Sequence, residues 1–311
     1  MEERFTLSVI CPILIGREGD LAALQWLVEE TKRGQGRVAF VSGEAGVGKS
    51  RLITETAHFA RQQGFFHLQG HCFQTDSALP YAPFLDLLRS YMMSSTPEQI
   101  AQEWEPIAAE LLRLLPEVRG LIPAFASVLP LPALDPQQEK RRLFGAMTHF
   151  FTRLATRQPL LLVVEDLHWC DDIGLECVFH LAHHAARLPL FLLLSYRNDE
   201  VSVRLRYWLA AFDRGHLSHE VVLARLSRDD VDVMLQAIFA LHASLHTGLL
   251  ESIYALTDGN PFFIEEVLKS LLASGEIAAR NGVWERTLLL GTHQHRPPNS
   301  PQRPGCGPSA I

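Results

Sequence analysis

Residues 37 to 51 read RVAFVSGEAGVGKSR, and this stretch decides the fold. An apolar run, Val38 to Val41, leads into Gly43-Glu44-Ala45-Gly46-Val47-Gly48-Lys49-Ser50, which fills the pattern GxxxxGK[ST] and passes into a helical stretch near Gly48. Strand, glycine-rich turn and helix in that order make a phosphate-binding loop. Backbone N–H groups converge on an anion only where the chain curls into a concave nest, and Gly43, Gly46 and Gly48 permit the φ values this needs. Lys49 adds a point charge for the β- and γ-phosphates. Ser50 offers a hydroxyl to Mg²⁺, and the helix N-terminus faces the same phosphates. Gly43 to Arg51 is therefore the expected nucleotide-binding segment.

The next carrier of chemistry is Leu160 to Asp166, LLLVVED. Five consecutive apolar residues after Pro159 predict a strand buried on both faces, as parallel sheets demand. It ends in two acids. At the carboxyl end of a buried parallel strand, Glu165 and Asp166 need a cation or donors, and Mg²⁺ is the natural counterion. With Lys49 and Ser50 they form a Walker A and Walker B pair, in which one acid holds Mg²⁺ and the other orients the attacking water. A further buried strand, PLFLLLS, brings Ser195 and Arg197 to the same edge. From position alone Arg197 either touches a γ-phosphate or pairs with Asp199 or Glu200 at the surface.

Around these motifs the chain divides into a tail (1–12), an α/β core (13–226) with a helical insertion at about 76–158, a helical lid (227–290) and a Pro/Gly-rich tail (291–311). ILIGRE (13–18) precedes an amphipathic helix, so Arg17 is either a solvated turn residue or part of an entry loop over the nucleotide base. In the insertion, helical patterns open at Pro83, Pro97 and Pro136, running through Tyr91, Leu115 and Arg157, and they are expected to pack beside the sheet without making chemistry. HEVVLARL (219–226) reads as a last strand. Beyond it, Ser227 caps a helix with Asp230 completing a capping-box variant. Gly259, Asn260 and Pro261 end one helix and start the next. The tail, rich in proline and glycine without periodicity, is expected to be disordered.

At 311 residues and 47% hydrophobic, the chain is long enough for a full α/β core and a smaller second domain. It has no apolar run of the ~18 to 20 residues that spans a bilayer. Its opening is acidic before it is apolar and carries no basic leader, so a cytoplasmic protein without membrane contact is expected. Net charge is −7, which offers no broad basic footprint for nucleic acid; direct DNA binding is not expected. Cys11, Cys72, Cys170, Cys177 and Cys306 form no CxxC pair and read as free thiols. Cys170, Cys177, His180, His183 and His184 share a helical stretch but have no second cluster to close a metal site.

Taken together, the phosphate loop, LLLVVEDLHW and DGNPFFIEEV resemble a nucleotide-binding module of the STAND class of signal-transduction ATPases. The likeness is to the AAA-type, origin-recognition-complex-like module of large LuxR-type transcriptional regulators and of some cyclase and kinase fusions, over about residues 12 to 286. It implies a P-loop fold in which the Walker A and Walker B strands are not adjacent, with a small all-helical lid. It also implies that ATP is bound with Mg²⁺ and slowly hydrolysed to ADP in a signalling switch that meets protein partners or its own copies on activation. By the same resemblance, Arg17 lies beside the base, Ser195 and Arg197 end the sensor strand, and Pro261 contacts adenine. Many relatives place Asp first in the Walker B pair; here Glu165 is first. Such relatives continue with a winged helix, repeats and an effector, so this chain reads as a standalone module, a fragment or a frameshift product. The competing functions are a non-hydrolysing nucleotide scaffold and a replication-initiator-like DNA loader.

Overall fold

The structure is a computed structural model, and it describes residues 9–76, 80–215, 218–239, 247–280 and 283–286. Helix α1 (Glu18–Lys32) leads to strand β1 (Arg37–Gly43), the phosphate loop, α2 (Lys49–Gln62) and β2 (Phe66–His71). Five helices follow: α3 (Ala82–Ser94), α4 (Pro97–Trp104), α5 (Ala108–Leu114), α6 (Val118–Leu121) and α7 (Pro136–Arg157). The chain then re-enters the sheet through β3 (Leu160–Glu165), α8 (Asp172–Ala185), β4 (Leu190–Arg197), α9 (Val203–Arg214) and β5 (His219–Val222).

All strand pairs in this sheet are parallel, in the order β2-β3-β4-β1-β5. The loop-bearing strand β1 and the acid-bearing strand β3 are thus separated by β4. Parallel pairing puts the carboxyl ends of β1, β3 and β4 on one edge, with Gly43 in register with Arg197 and His71 with Glu165. Successive residues point to opposite faces, and the central strands β1, β3 and β4 are buried on both. Val38, Phe40, Leu160, Leu162 and Leu192 join one cluster; Ala39, Val41, Leu161, Val163 and Leu193 join another.

The 76–158 stretch contains no strand among its described residues, and its helices pack against the sheet. Phe84, Leu87, Trp104, Phe150 and Phe151 are fully buried in the same cluster as the β3 and β4 side chains, so α3 to α7 share with α8 and α9 the layer covering that face of the sheet. The helix expected from Pro97 to Leu115 is broken at Glu105–Ile107, where Pro106 lacks the N–H that a continuous helix needs. The last strand stops at Val222 instead of reaching Leu226. Leu223 still donates its N–H to Ser42 O, but Leu226 N–H goes to Gly259 O, which draws the chain into the lid.

The lid begins with α10 (Arg228–Phe239), where Ser227 and Asp230 bond reciprocally as a capping box. It continues with α11 (Thr247–Thr257) and α12 (Pro261–Ala273). It is not all helical. After Gly275, at φ 72°, the antiparallel pair β6 (Ile277–Arg280) and β7 (Val283–Arg286) closes the described chain. Val9, Cys11 and Ile15 lie in the lid's own cluster with Val231, Met234 and Ile264. The expected 1–12 tail is therefore packed structure from Val9 onward, and the 291–311 tail lies outside the described residues. Among the described residues no helix is long and apolar enough to cross a membrane.

Candidate functional site

The phosphate loop connects β1 to α2 by three glycines at positive φ. Gly48, at φ 105°, is the residue before α2, and its left-handed backbone lets the chain turn from loop to helix. Gly46, at φ 76°, is needed twice over, because a Cβ there would stand 2.7 Å from Phe262 Cβ and 2.8 Å from Asn260 Oδ1. The first turn of α2 brings in Lys49 and Ser50. Lys49 is 8% exposed, and its ammonium donates to the carbonyls of Gly43 and Glu44, both at 2.8 Å. Burial pushes its pKa down, opposed by the charge of Asp166 and reinforced by that of Arg197.

The two acids have different surroundings. Glu165 is 5% exposed; its Oε2 accepts from Ser50 Oγ at 2.5 Å and its Oε1 from Gln69 Nε2 at 2.7 Å. His71 Nε2 stands 3.4 Å from the same Oε1. Asp166 already lies outside β3, at φ 61° and ψ 44°, a left-handed conformation that Asp and Asn tolerate better than most residues. Its N–H donates to Ser195 Oγ, and its carboxylate faces open space.

A cavity of about 370 Å³ runs from these groups to the lid, within the range of small-molecule sites. Its phosphate-loop end is lined by Ala45 to Arg51, Asp166 and Arg197, and its other end by Ile13, Leu14, Ile15, Met234, Pro261 and Phe262. Four of the expected site residues stand behind this wall. Gly43 carries a Lys49 carbonyl acceptor, and Ser195 braces Asp166. Glu165 is reached through Ser50, and the Glu44 carboxylate turns away to Arg225, at 2.6 and 2.9 Å.

Three arginines make contacts that their sequence positions left open. Arg17 is 7% exposed, which removes the solvated-turn reading. Its guanidinium donates to Val47 O at 3.3 Å and to Ala224 O, tying the entry loop to the phosphate loop and to the hinge of the lid. Arg51 donates to the carbonyls of Cys11 and Pro12, both at 3.0 Å, and so holds the N-terminal segment. Arg197 pairs with Glu200 at 2.6 Å, one of the two contacts its position allowed, and it also lines the cavity.

Reasoning from sequence missed four neighbours. Gln69 and His71 are alternate polar residues at the end of the short strand β2, a signal that was present. Asn260 donates from Nδ2 to Ala45 O at 2.9 Å, and Phe262 N–H approaches Gly46 O at 3.3 Å. With Arg17 on Val47, three consecutive loop carbonyls are held from outside. Nothing in the order of residues reveals that clasp.

The sequence model for the AAA ATPase domain matches residues 13–194. The chain belongs to the AAA ATPase domain family. This AAA domain is 26% identical over 266 residues to an uncharacterized protein of Rhizobium meliloti, a match covering 82% of this chain and 24% of that protein. It is 24% identical over 188 residues to the peroxide stress-activated histidine kinase mak2 of Schizosaccharomyces pombe, covering 51% of this chain and 8% of the kinase. The chain thus spans a quarter or less of the length of these relatives. Among solved structures, the Aeropyrum pernix ORC2 protein, in ADPNP-ADP complexes, superposes with a TM-score of 0.53 at 16% identity, over 88% of this chain and 66% of that one. At that identity the likeness is one of fold.

The donor set of the AAA domain has the chemistry that a divalent cation takes. Ser50 hydroxyl and Asp166 carboxylate are hard oxygen donors at one end of the cavity, and the Glu165 carboxylate stands directly behind Ser50. Among the described residues no group of three or more His, Cys, Asp or Glu forms a metal cluster. Mg²⁺ needs no such cluster, since it is held by one or two carboxylates together with waters and phosphate oxygens. The residues present fit it.

Proposed function

We propose that this AAA domain binds ATP with Mg²⁺, hydrolyses it slowly to ADP, and works as a STAND-class switch within a signalling or transcription-regulating protein. The observation that carries the reading is the single cavity lined by Lys49, Asp166 and Arg197 at one end and by Pro261 of the lid at the other. Lys49 meets the β- and γ-phosphates, exchanging two carbonyl partners for anionic oxygens. Ser50 and Glu165 would hold Mg²⁺, which when bound neutralises charge on the phosphate oxygens. Asp166, whose carboxylate is open to the cavity, orients water toward the γ-phosphorus. Arg197 meets the γ-phosphate, and the apolar end formed by Ile13 to Ile15, Met234 and Pro261 takes the adenine.

In this reading the nucleotide bridges core and lid. Only a ligand with different contacts in two states shifts their balance, and a swing from 1:99 to 99:1 needs roughly 5.5 kcal/mol of preference. Similarity to part of a histidine kinase supports a signalling context, with protein partners or self-association as the output. The test is calorimetric titration of the purified protein with ATP, together with phosphate release. Binding with turnover is expected; binding without turnover would leave the nucleotide scaffold, and no binding would overturn both.

A second reading, a replication-initiator-like ATPase, is favoured by the fold shared with the ORC2 protein. The net charge of −7 speaks against direct DNA contact by this chain. Fluorescence anisotropy with duplex and single-stranded DNA separates the two: ATP-dependent, salt-sensitive binding would favour the initiator reading.

A further inference from the structure

At the end of β4 and the turn after β3, Arg197 is surrounded by three groups that the nucleotide reading leaves unused: Glu200, Trp169 and His168. Arg197 Nη1 donates to Glu200 Oε1 at 2.6 Å, and its guanidinium carbon stands 5.0 Å from the centroid of the Trp169 indole. The Arg197 backbone N–H points at His168 Nδ1, 3.4 Å away. Nδ1 is thereby the acceptor, which leaves the proton of the neutral ring on Nε2. That nitrogen is buried and has no hydrogen-bond partner, on a side chain with 0% exposure. Glu200 Oε2 lies 3.7 Å from it, just beyond bonding range.

We propose that Glu200 is an exchangeable partner that reads the third phosphate: it neutralises Arg197 until a γ-phosphate takes the guanidinium, and then accepts from His168 Nε2–H. The proposal rests on the reading of Arg197 as the group that meets the γ-phosphate. Lys49 and Arg197 are two cations at one end of the cavity, and without a triphosphate Glu200 supplies the counter-charge. A γ-phosphate supplies it better, because it also meets Lys49. The released carboxylate needs a shift of roughly 1 Å to satisfy a buried donor that otherwise has nothing to bond. A diphosphate leaves Arg197 on Glu200, so the exchange distinguishes ATP from ADP. Its movement is delivered outward, since Glu200 lies two residues before Ser202, whose Oγ accepts from Leu205 N–H and caps α9.

The test uses the full chain and measures dissociation constants for ADP and for the slowly hydrolysed analogue ATPγS in Mg²⁺ buffer. Glu200→Gln keeps an acceptor for His168 but loses the charge that competes for Arg197. It is expected to tighten ATPγS by about 3-fold with ADP unchanged, the scale of a part-exposed ion pair. His168→Asn keeps an acceptor near the position of Nδ1 and lacks the Nε2 donor. It is expected to weaken ATPγS by about 3-fold, an effect that vanishes in a Glu200→Ala background, where no carboxylate is left to exchange. Fluorescence gives a second reading that does not need the buried His168 variant to fold. The difference between the protein and its Trp169→Phe variant should change on adding ATPγS and not ADP, as the guanidinium leaves the indole. Weaker or unchanged ATPγS binding by Glu200→Gln, a His168→Asn effect that persists without Glu200, or equal Trp169 signals for both nucleotides would overturn the exchange. If the unmodified chain binds both nucleotides while these patterns fail, only the exchange falls; if it binds neither, the nucleotide reading falls with it.

Discussion

The two ends of the cavity are built in opposite ways. At the phosphate end Lys49, Ser50, Glu165 and Asp166 sit on the carboxyl edge of a sheet buried on both faces, and the polar atoms of Lys49, Ser50 and Glu165 already have protein partners. At the lid end the wall is apolar and comes from segments far apart in the chain: Ile13 to Ile15 before α1, Met234 on α10, and Pro261 and Phe262 opening α12. The phosphate end is backed by three central strands that are buried on both faces and paired along their length. The lid end exists only while α10 and α12 are docked. In the proposed reading a charged ligand group would meet prepositioned donors, whereas the base would meet a surface whose assembly its own binding favours.

The sharpest way to break that contrast is Lys49→Ala. A buried ammonium held by two carbonyls contributes charge, not packing, so the variant should keep its circular dichroism spectrum and melt within a few degrees of the parent protein. Its turnover should fall on the order of 10²- to 10³-fold, the usual cost of losing a donor at a transferring phosphoryl group. Unchanged ATP affinity and turnover would mean that this end of the cavity is not where phosphate binds.

The two acids come next. Asp166→Asn retains a residue type that accepts the left-handed backbone, so it should bind ATP and hydrolyse it about 10²-fold more slowly, as expected when a group that positions or deprotonates water is lost. Glu165→Gln keeps the bond to Ser50 Oγ within reach but weakens the cation site, and should raise the Mg²⁺ concentration needed for half-maximal turnover. Magnesium titrations of both variants decide it. The reverse pattern would exchange the roles that the open and the buried carboxylate suggest.

A smaller effect tests the junction between the two ends. Asn260 caps α12 with Oδ1 and holds the loop carbonyl of Ala45 with Nδ2. Asn260→Ala should cost about 1 to 2 kcal/mol, within the range for a lost cap, and should raise hydrogen exchange in α12 and in residues 44–50 even without nucleotide. If exchange rises only in α12, lid and loop are joined by the ligand alone. The smallest effect belongs to Arg225, which bridges Glu44 and Asp258 at the surface. Arg225→Ala should leave the melting temperature almost unchanged, and the small effect should shrink in high salt, since exposed pairs are weak and screened.

Much of the molecule is legible in its sequence. The buried strands announced themselves as unbroken apolar runs, the glycine-rich loop as a pattern with one physical use, and the helix starts as Ser227 and Asn260 caps. Two failures share a cause. The single helix expected across Pro106 and the strand expected to reach Leu226 both followed local periodicity past the point where the backbone loses its regular partner, at Pro106 because proline has no N–H to donate and at Leu226 because another segment takes that N–H. At Leu226 that competitor is Gly259 O, thirty-three positions away in the chain. The β6–β7 hairpin was missed because four-residue strands carry too little alternation to outweigh a preceding helical pattern.

By itself the amino-acid sequence determined the phosphate end, because a nest of backbone amides, a lysine and a hydroxyl are contiguous there and the strands that carry Glu165 and Arg197 are hydrophobic enough to fold only into a doubly covered sheet. The tertiary structure alone decided what faces them. It set Arg17 on Val47 and Ala224, Asn260 on Ala45, Gln69 on Glu165, and Glu200 between Arg197 and His168. Most of these contacts join residues tens to hundreds of positions apart, and hydrogen-bond donors choose partners by distance and angle over a few ångströms, a quantity that no local pattern encodes.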